Sequence, residues 1–85
     1  MDETIAFHGA APHGGEGFVL LLETPGEDGQ VGIRRWASPD YTAAPVELRV
    51  SAREVRATIE SQAALGWTFT LPLERIVRWL EPAEP

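Results

Sequence analysis

Residues 46–71, VELRVSAREVRATIESQAALGWTFTL, place a strand pattern on each side of a helix pattern. In both flanking segments apolar residues alternate with polar ones, as in a strand with one buried face. The apolar positions are Val46, Leu48, Val50, Trp67, Phe69 and Leu71. A strand, a helix and a second strand in direct succession favour a right-handed crossover. We therefore expect two parallel strands in one sheet.

The central helix has a defined beginning and end in the sequence. Ser51 and Glu54 match a capping box. In this motif the serine side chain accepts a hydrogen bond from the amide of residue 54, and the glutamate side chain accepts one from the amide of residue 51. Gly66 suits the left-handed position that follows a helix, so we predict a helix from about Ala52 to Leu65. Its predicted buried stripe consists of Ala52, Val55, Ile59 and Ala63.

The N-terminal third predicts an arm followed by a hairpin. Residues 1–16 are rich in small residues and indicate a flexible N-terminal arm, with a short strand over 4–7. Residues 17–23 are apolar on both faces, which is typical of a strand buried on both sides. Pro-Gly and Asp-Gly turn signals in 24–30 join it to a second strand over 31–36.

The C-terminal segment predicts a second amphipathic helix. Pro72 suits a first helical turn, and Glu74 and Arg78 are spaced as an i,i+4 ion pair. Apolar residues at the helical spacing i, i+3, i+4 and i+7 are Leu73, Ile76, Val77 and Leu80. Residues 82–85 are expected to form a frayed tail.

The predicted element order is (β)ββ-β-α-β-α. It favours the α+β class: a small two-layer sandwich with a mixed sheet of four to five strands and both helices on one face. At 85 residues the chain is expected to form a single domain, residues 1–85.

Composition narrows the functional classes. Seven arginines, no lysine and thirteen acidic residues give a net charge of −6, which disfavours binding to nucleic acid or to an anionic membrane. Residues 1–30 contain six acidic residues and no arginine, so they carry this whole charge. The absence of cysteine, of a basic leader and of a long apolar run favours a cytoplasmic protein. The high content of Ala, Gly, Arg and Pro suggests a bacterial source.

Chemistry-bearing residues are sparse. His8, His13 and Glu16 offer ligand types for a metal, but the glycines around them provide no rigid site, so we expect no cofactor. The same glycines precede a strand rather than a helix, which disfavours a phosphate-binding loop. No serine lies in a nucleophile-elbow motif, and we expect no enzymatic activity.

One alternative is a DNA-binding regulator. The two predicted helices resemble a helix-turn-helix pair, with Arg75 and Arg78 on the second helix. Residues 67–72 between them exceed the usual turn of about 3–4 residues and alternate like a strand. The net charge further disfavours this alternative.

The remaining hypothesis is protein binding. Arg34, Arg35 and Trp36, with Tyr41 in the adjoining turn over 39–41, form the candidate interface, since Trp and Arg are frequent hot-spot residues. Trp36 would lie on the opposite strand face from the apolar residues before it, and the average burial of tryptophan favours the core for it. Trp67 and Trp79 are expected in the core or at its edge. We expect an interaction or regulatory accessory module whose partner is another protein or a second copy, as a homodimer. A second alternative is a small-ligand or metal-binding protein that uses residues 8–16.

Overall fold

A computed structural model describes residues 3–38 and 41–81. Its strands are β1 (Thr4–Ala10), β2 (Gly17–Glu23), β3 (Gln30–Ala37), β4 (Val46–Ser51) and β5 (Thr68–Phe69), and its helices are α1 (Ala52–Ala64) and α2 (Leu73–Leu80). The predicted α+β class and element order are confirmed. The predicted frayed tail lies outside the described residues.

The five strands form one sheet in the order β4-β3-β2-β1-β5. Each pairing within the described part of the chain is antiparallel, so the predicted mixed sheet is wrong. Because neighbours alternate in direction, β4 and β5 do run the same way, as the crossover pattern indicated. Three strands lie between them, however, since β5 pairs with β1 rather than with β4.

The N-terminal segment belongs to the sheet. Residues 4–10 form β1, which pairs along its whole length with β2 and, at Gly9 and Ala10, with β5. The predicted flexible arm over 1–16 is therefore wrong for these residues. Phe7 of β1 is buried in the core, which ties the strand to the rest of the molecule. The small residues that suggested flexibility are concentrated in the loop after β1.

Helix α1 begins at the predicted residue, but a different hydrogen bond anchors its first turn. The Ser51 side chain makes no capping hydrogen bond, so the predicted capping box is not formed. Instead, the amide of Ala52 donates to the carbonyl of Gly29 at 2.8 Å, which satisfies one of the free amides at the start of the helix.

The end of α1 follows the prediction closely. Gly66 adopts φ +99°, and its amide donates to the carbonyl of Ala63 at 3.1 Å. The amide of Trp67 donates to the carbonyl of Gln62 at 3.0 Å. These two bonds form a Schellman motif, which requires the left-handed backbone that glycine adopts at low cost.

Helix α2 extends from Leu73 to Leu80, with Pro72 just before its first turn. The carbonyl of Pro72 accepts hydrogen bonds from the amides of Arg75 and Ile76, which anchors that turn. The predicted Glu74–Arg78 pair is not among the ion pairs formed by the described residues.

Both helices cover the same side of the sheet, which we call the covered face. One side of β1, β2 and β3 forms a single hydrophobic cluster with α1 and α2. Its members are Phe7, Phe18, Leu20, Leu22, Val31, Ile33, Ala52, Val55, Ile59, Ile76 and Leu80. Trp67 and Trp79 pack against this cluster, as predicted. The Trp79 indole N–H also donates to the carbonyl of Glu23 at 3.0 Å.

Strand β4 is less buried than its alternation predicts. Leu48 and Val50 line one groove with residues of the covered face, and strand alternation places Val46 on the same side. Val50 is half-buried, but Leu48 and Val46 are 44% and 55% exposed. The prediction of a half-buried strand is thus wrong for its first half, because β4 is the edge strand and the helix leaves a gap beside it.

Candidate protein-binding surface

The side of the sheet opposite the helices, here called the open face, carries apolar residues that no described helix covers. Strand alternation places Val19 and Leu21 of β2 on this face, because Phe18, Leu20 and Leu22 point into the core. Both residues are half-buried. The prediction that β2 is buried on both sides is therefore correct for the covered face and wrong for the open face.

Trp36 lies at the β3 end of one row across this face. Val19 pairs with Trp36 on β3 and with His8 on β1, so the three side chains are cross-strand neighbours. Trp36 is half-buried and does not belong to the core cluster. The core interpretation favoured by the average burial of tryptophan is wrong at this position, because neither helix of the described residues lies over the face that Trp36 occupies.

Arg34 lies in the next row of the open face. It is opposite Leu21 on β2 and Glu47 on β4. Its guanidinium Nε donates to a Glu47 carboxylate oxygen at 3.1 Å, with both side chains more than half exposed. The ion pair holds the arginine over the sheet beside an apolar residue. A pair this exposed contributes at most about 1 kcal/mol to stability.

Arg35 does not belong to this surface. It is the neighbour of Arg34 in β3, so it points to the opposite side of the sheet. There it lines the groove next to α1. The predicted interface set is therefore divided: Arg34 and Trp36 share the open face, whereas Arg35 lies on the covered face.

Tyr41 joins the open face from the loop after β3. Its hydroxyl lies 3.5 Å from Nε2 of His8, and the two ring centroids are 6.0 Å apart. Gly17 makes room for this contact, since a Cβ there would lie 2.8 Å from the tyrosine oxygen. Pro39 and Asp40, the rest of the predicted turn, lie outside the described residues. The sequence therefore predicted three of the residues brought together here, Arg34, Trp36 and Tyr41, whereas it assigned His8 only to the candidate metal site.

The predicted metal ligands have different surroundings. His8 is on β1 beside Tyr41, whereas His13 and Glu16 are exposed in the loop between β1 and β2. Across residues 3–38 and 41–81, no group of three His, Asp or Glu side chains is arranged to hold a metal ion. The structure thus does not assemble His8, His13 and Glu16 into the site that the sequence left open.

Arg75 and Arg78, the residues of the DNA-binding alternative, are both exposed on α2. The segment between α1 and α2 contains the Schellman turn and β5, so the helices are not joined by the short turn of a helix-turn-helix. The structural resemblance on which this alternative was based is therefore absent.

A groove lies between α1 and the edge of the sheet. It encloses about 340 Å³. Its wall is mainly apolar and comes from β2, β3, β4 and α1, and its polar members are Arg35, Glu54, Thr58 and Gln62. The Gln62 side-chain oxygen is buried there without a hydrogen-bond partner among the described residues. This groove could not be predicted from the sequence, because it arises from the distance between α1 and β4.

Comparisons with protein-family models, with curated proteins and with solved structures find no match for the chain. Among the described residues, no helix has the length and apolar character needed to cross a membrane.

Proposed function

We propose that the protein is a cytoplasmic interaction module that binds another protein through its open face, in a regulatory or accessory role. The observation that carries the proposal is the placement of Trp36. A large aromatic side chain is half-buried on the open face near the end of β3, next to Val19 and outside the core.

The chemistry of the surrounding residues suits a protein partner. Tryptophan and arginine are enriched among interface hot spots, and Trp36 and Arg34 lie on adjacent rows of the open face. Val19 and Leu21 provide flat apolar area, while His8 and Tyr41 add polar atoms at one side. This mixture of an apolar centre and a polar border is typical of protein interfaces.

The rigidity of the surface also supports the proposal. The open-face residues are carried on paired strands whose other side is packed against two helices. A binding surface held on a sheet loses little conformational entropy when a partner binds. We therefore expect a partner with a preformed apolar patch and an acidic group positioned for Arg34.

The test is partner capture with matched variants. The tagged chain and its Trp36→Ser variant are each used as bait in extract of the source cell, and the captured proteins are quantified. Leu65→Ser is the control, because Leu65 is a 72% exposed apolar residue at the end of α1.

We expect one protein to be captured by the wild type and by Leu65→Ser, but at least about tenfold less by Trp36→Ser, which corresponds to about 1.4 kcal/mol. Circular dichroism and thermal unfolding establish that each bait is folded. Equal capture by Trp36→Ser and the wild type would contradict the proposal.

A further inference from the structure

We infer that the outer edge of β4 pairs with β4 of a second copy, which joins two sheets into one continuous antiparallel sheet. This contact uses the edge of the sheet and leaves the open face accessible, so it goes beyond the proposed function. Among the described residues, β4 pairs with β3 on one side and with no strand on the other. Such an edge presents free backbone N–H and C=O groups.

The free backbone groups can be assigned to particular residues. The amide of Ala52 donates to Gly29, which shows that residue 52 points its backbone groups toward β3. Hydrogen-bonding direction alternates along a strand, so Val46, Leu48 and Val50 also point toward β3. The groups that point outward therefore belong to Ser51, at the end of the strand, and to the two charged residues Glu47 and Arg49.

These two residues make the edge complementary to itself. In an antiparallel pairing centred on Leu48, Glu47 lies opposite Arg49 of the second copy, and Arg49 lies opposite its Glu47. Both are then hydrogen-bonded pairs that exchange two backbone bonds each. Opposite charges directly across two strands stabilise the pairing, whereas like charges oppose it.

The apolar side of the strand supports the same register. Leu48 lies opposite its own copy in a non-hydrogen-bonded pair, where side chains approach most closely. It is 44% exposed in the single chain, on the rim of the groove beside α1. Val46, which is 55% exposed, lies opposite Val50 of the second copy. A dimer whose two-fold axis passes through Leu48 thus covers the exposed apolar residues of β4. The same arrangement places Glu47 of each copy opposite Arg49 of the other.

Existing ion pairs do not compete strongly with this contact. Glu47 binds Arg34, and Arg49 lies 3.5 Å from Asp28, but each partner is about half exposed or more. Exposed pairs of this kind are weak and can be shared with a second copy.

The experiment is a charge exchange followed by sedimentation velocity over a range of concentrations. Glu47→Arg places arginine opposite arginine in a homodimer, and Arg49→Glu places glutamate opposite glutamate. Each variant alone is expected to dimerise roughly 10- to 30-fold more weakly than the wild type. In an equimolar mixture of the two, both cross-strand pairs become complementary, so a heterodimer of wild-type affinity is expected. Arg53→Glu, an exposed charge reversal on α1, should dimerise like the wild type.

A cross-link gives the register independently. The chain has no cysteine, so Leu48→Cys provides one thiol per copy. It should form an intermolecular disulfide on mild oxidation, since directly opposite residues are close enough for that bond. Val46→Cys, whose counterpart is offset along the strand, should form much less. A monomeric wild type at its highest soluble concentration, no recovery in the mixture, or preferential cross-linking of Val46→Cys would each overturn the inference. None of these results depends on the partner proposed for the open face.

Discussion

The same strands form both faces of the sheet, but among the described residues only the covered face is packed against helices. On β2, Leu20 and Leu22 point toward the helices and are buried, whereas Val19 and Leu21 point to the open face and stay half-buried. The residue types are nearly the same on both sides. The covered face finds its apolar partners within the chain, and the open face presents a similar surface for which the described residues supply no second layer.

Leucine substitutions on the two faces should show the largest contrast. Leu22→Ala removes a fully buried side chain and should lower the free energy of unfolding by about 2–5 kcal/mol. Leu21→Ala, one residue away on the open face, should cost only about 1 kcal/mol because its side chain already contacts solvent. Urea unfolding of both variants measures the difference. Equal losses would mean that the open face is packed as tightly as the core.

The turn at Gly66 ends α1, one of the two helices that pack on the covered face. Gly66→Ala places a Cβ on a left-handed backbone and 3.2 Å from Pro12. The expected loss in unfolding free energy is about 1–2 kcal/mol, the usual cost of that conformation for other residues. Ala64→Gly, in the last turn of the same helix, should cost about 1 kcal/mol through helix propensity alone. A Gly66→Ala variant as stable as the wild type would show that this turn has another conformation.

Trp36 should contribute little to stability. A tryptophan in a core costs about 3–5 kcal/mol when truncated to alanine. For Trp36→Ala we expect about 1 kcal/mol, since the side chain is half-buried outside the core cluster. Trp79→Ala, which removes packing against the core and the bond to Glu23, provides the comparison and should cost more. The reverse order in chemical denaturation would place Trp36 in the core after all.

The parts of the fold that the sequence predicted are those set by neighbouring residues. The end of α1 depends on Gly66, and the β2–β3 hairpin depends on the turn signals in the loop over 24–30, so both were predictable. The predicted start of α1 is correct, but the capping box from which it was predicted is not formed. A carbonyl distant in sequence, that of Gly29, satisfies the Ala52 amide in place of the Ser51 side chain.

The features that the sequence did not predict depend on long-range pairing. Gly9 suggested a loop, but it pairs with Phe18 on one side and Phe69 on the other. The mixed sheet was predicted from the crossover, whereas the position of β1 puts β5 at the far edge. The exposure of Leu48 follows from the gap beside α1, which no local pattern encodes.

The smallest expected effect is a pH dependence at the turn before β3. The backbone N–H of Gln30 donates to Asp28 and, with the nearby Arg49 charge, lowers the pKa of this carboxyl below its ordinary value of 3.8. The stability this adds is present above the ordinary value and is lost as the pH falls through the lower folded-state pKa.

Wild type should therefore be slightly more stable than Asp28→Ala at neutral pH, with the difference shrinking on acidification from about pH 5 downward. Denaturant titrations at several pH values measure it. Glu27→Ala, the adjacent acidic residue, controls for the loss of one negative charge. A difference that grows as the pH falls would have the wrong sign.

Site-specific photocross-linking in the source cell tests the central claim, that the open face binds another protein. Ala6 of the open face and Ala57 on the outer side of α1 are both exposed alanines, so the same photoreactive residue can replace either one. We predict a discrete cross-linked product from position 6, with a mass different from twice that of the chain, and none of that mass from position 57. The same product from both positions, or only a homodimer from position 6, would contradict the claim.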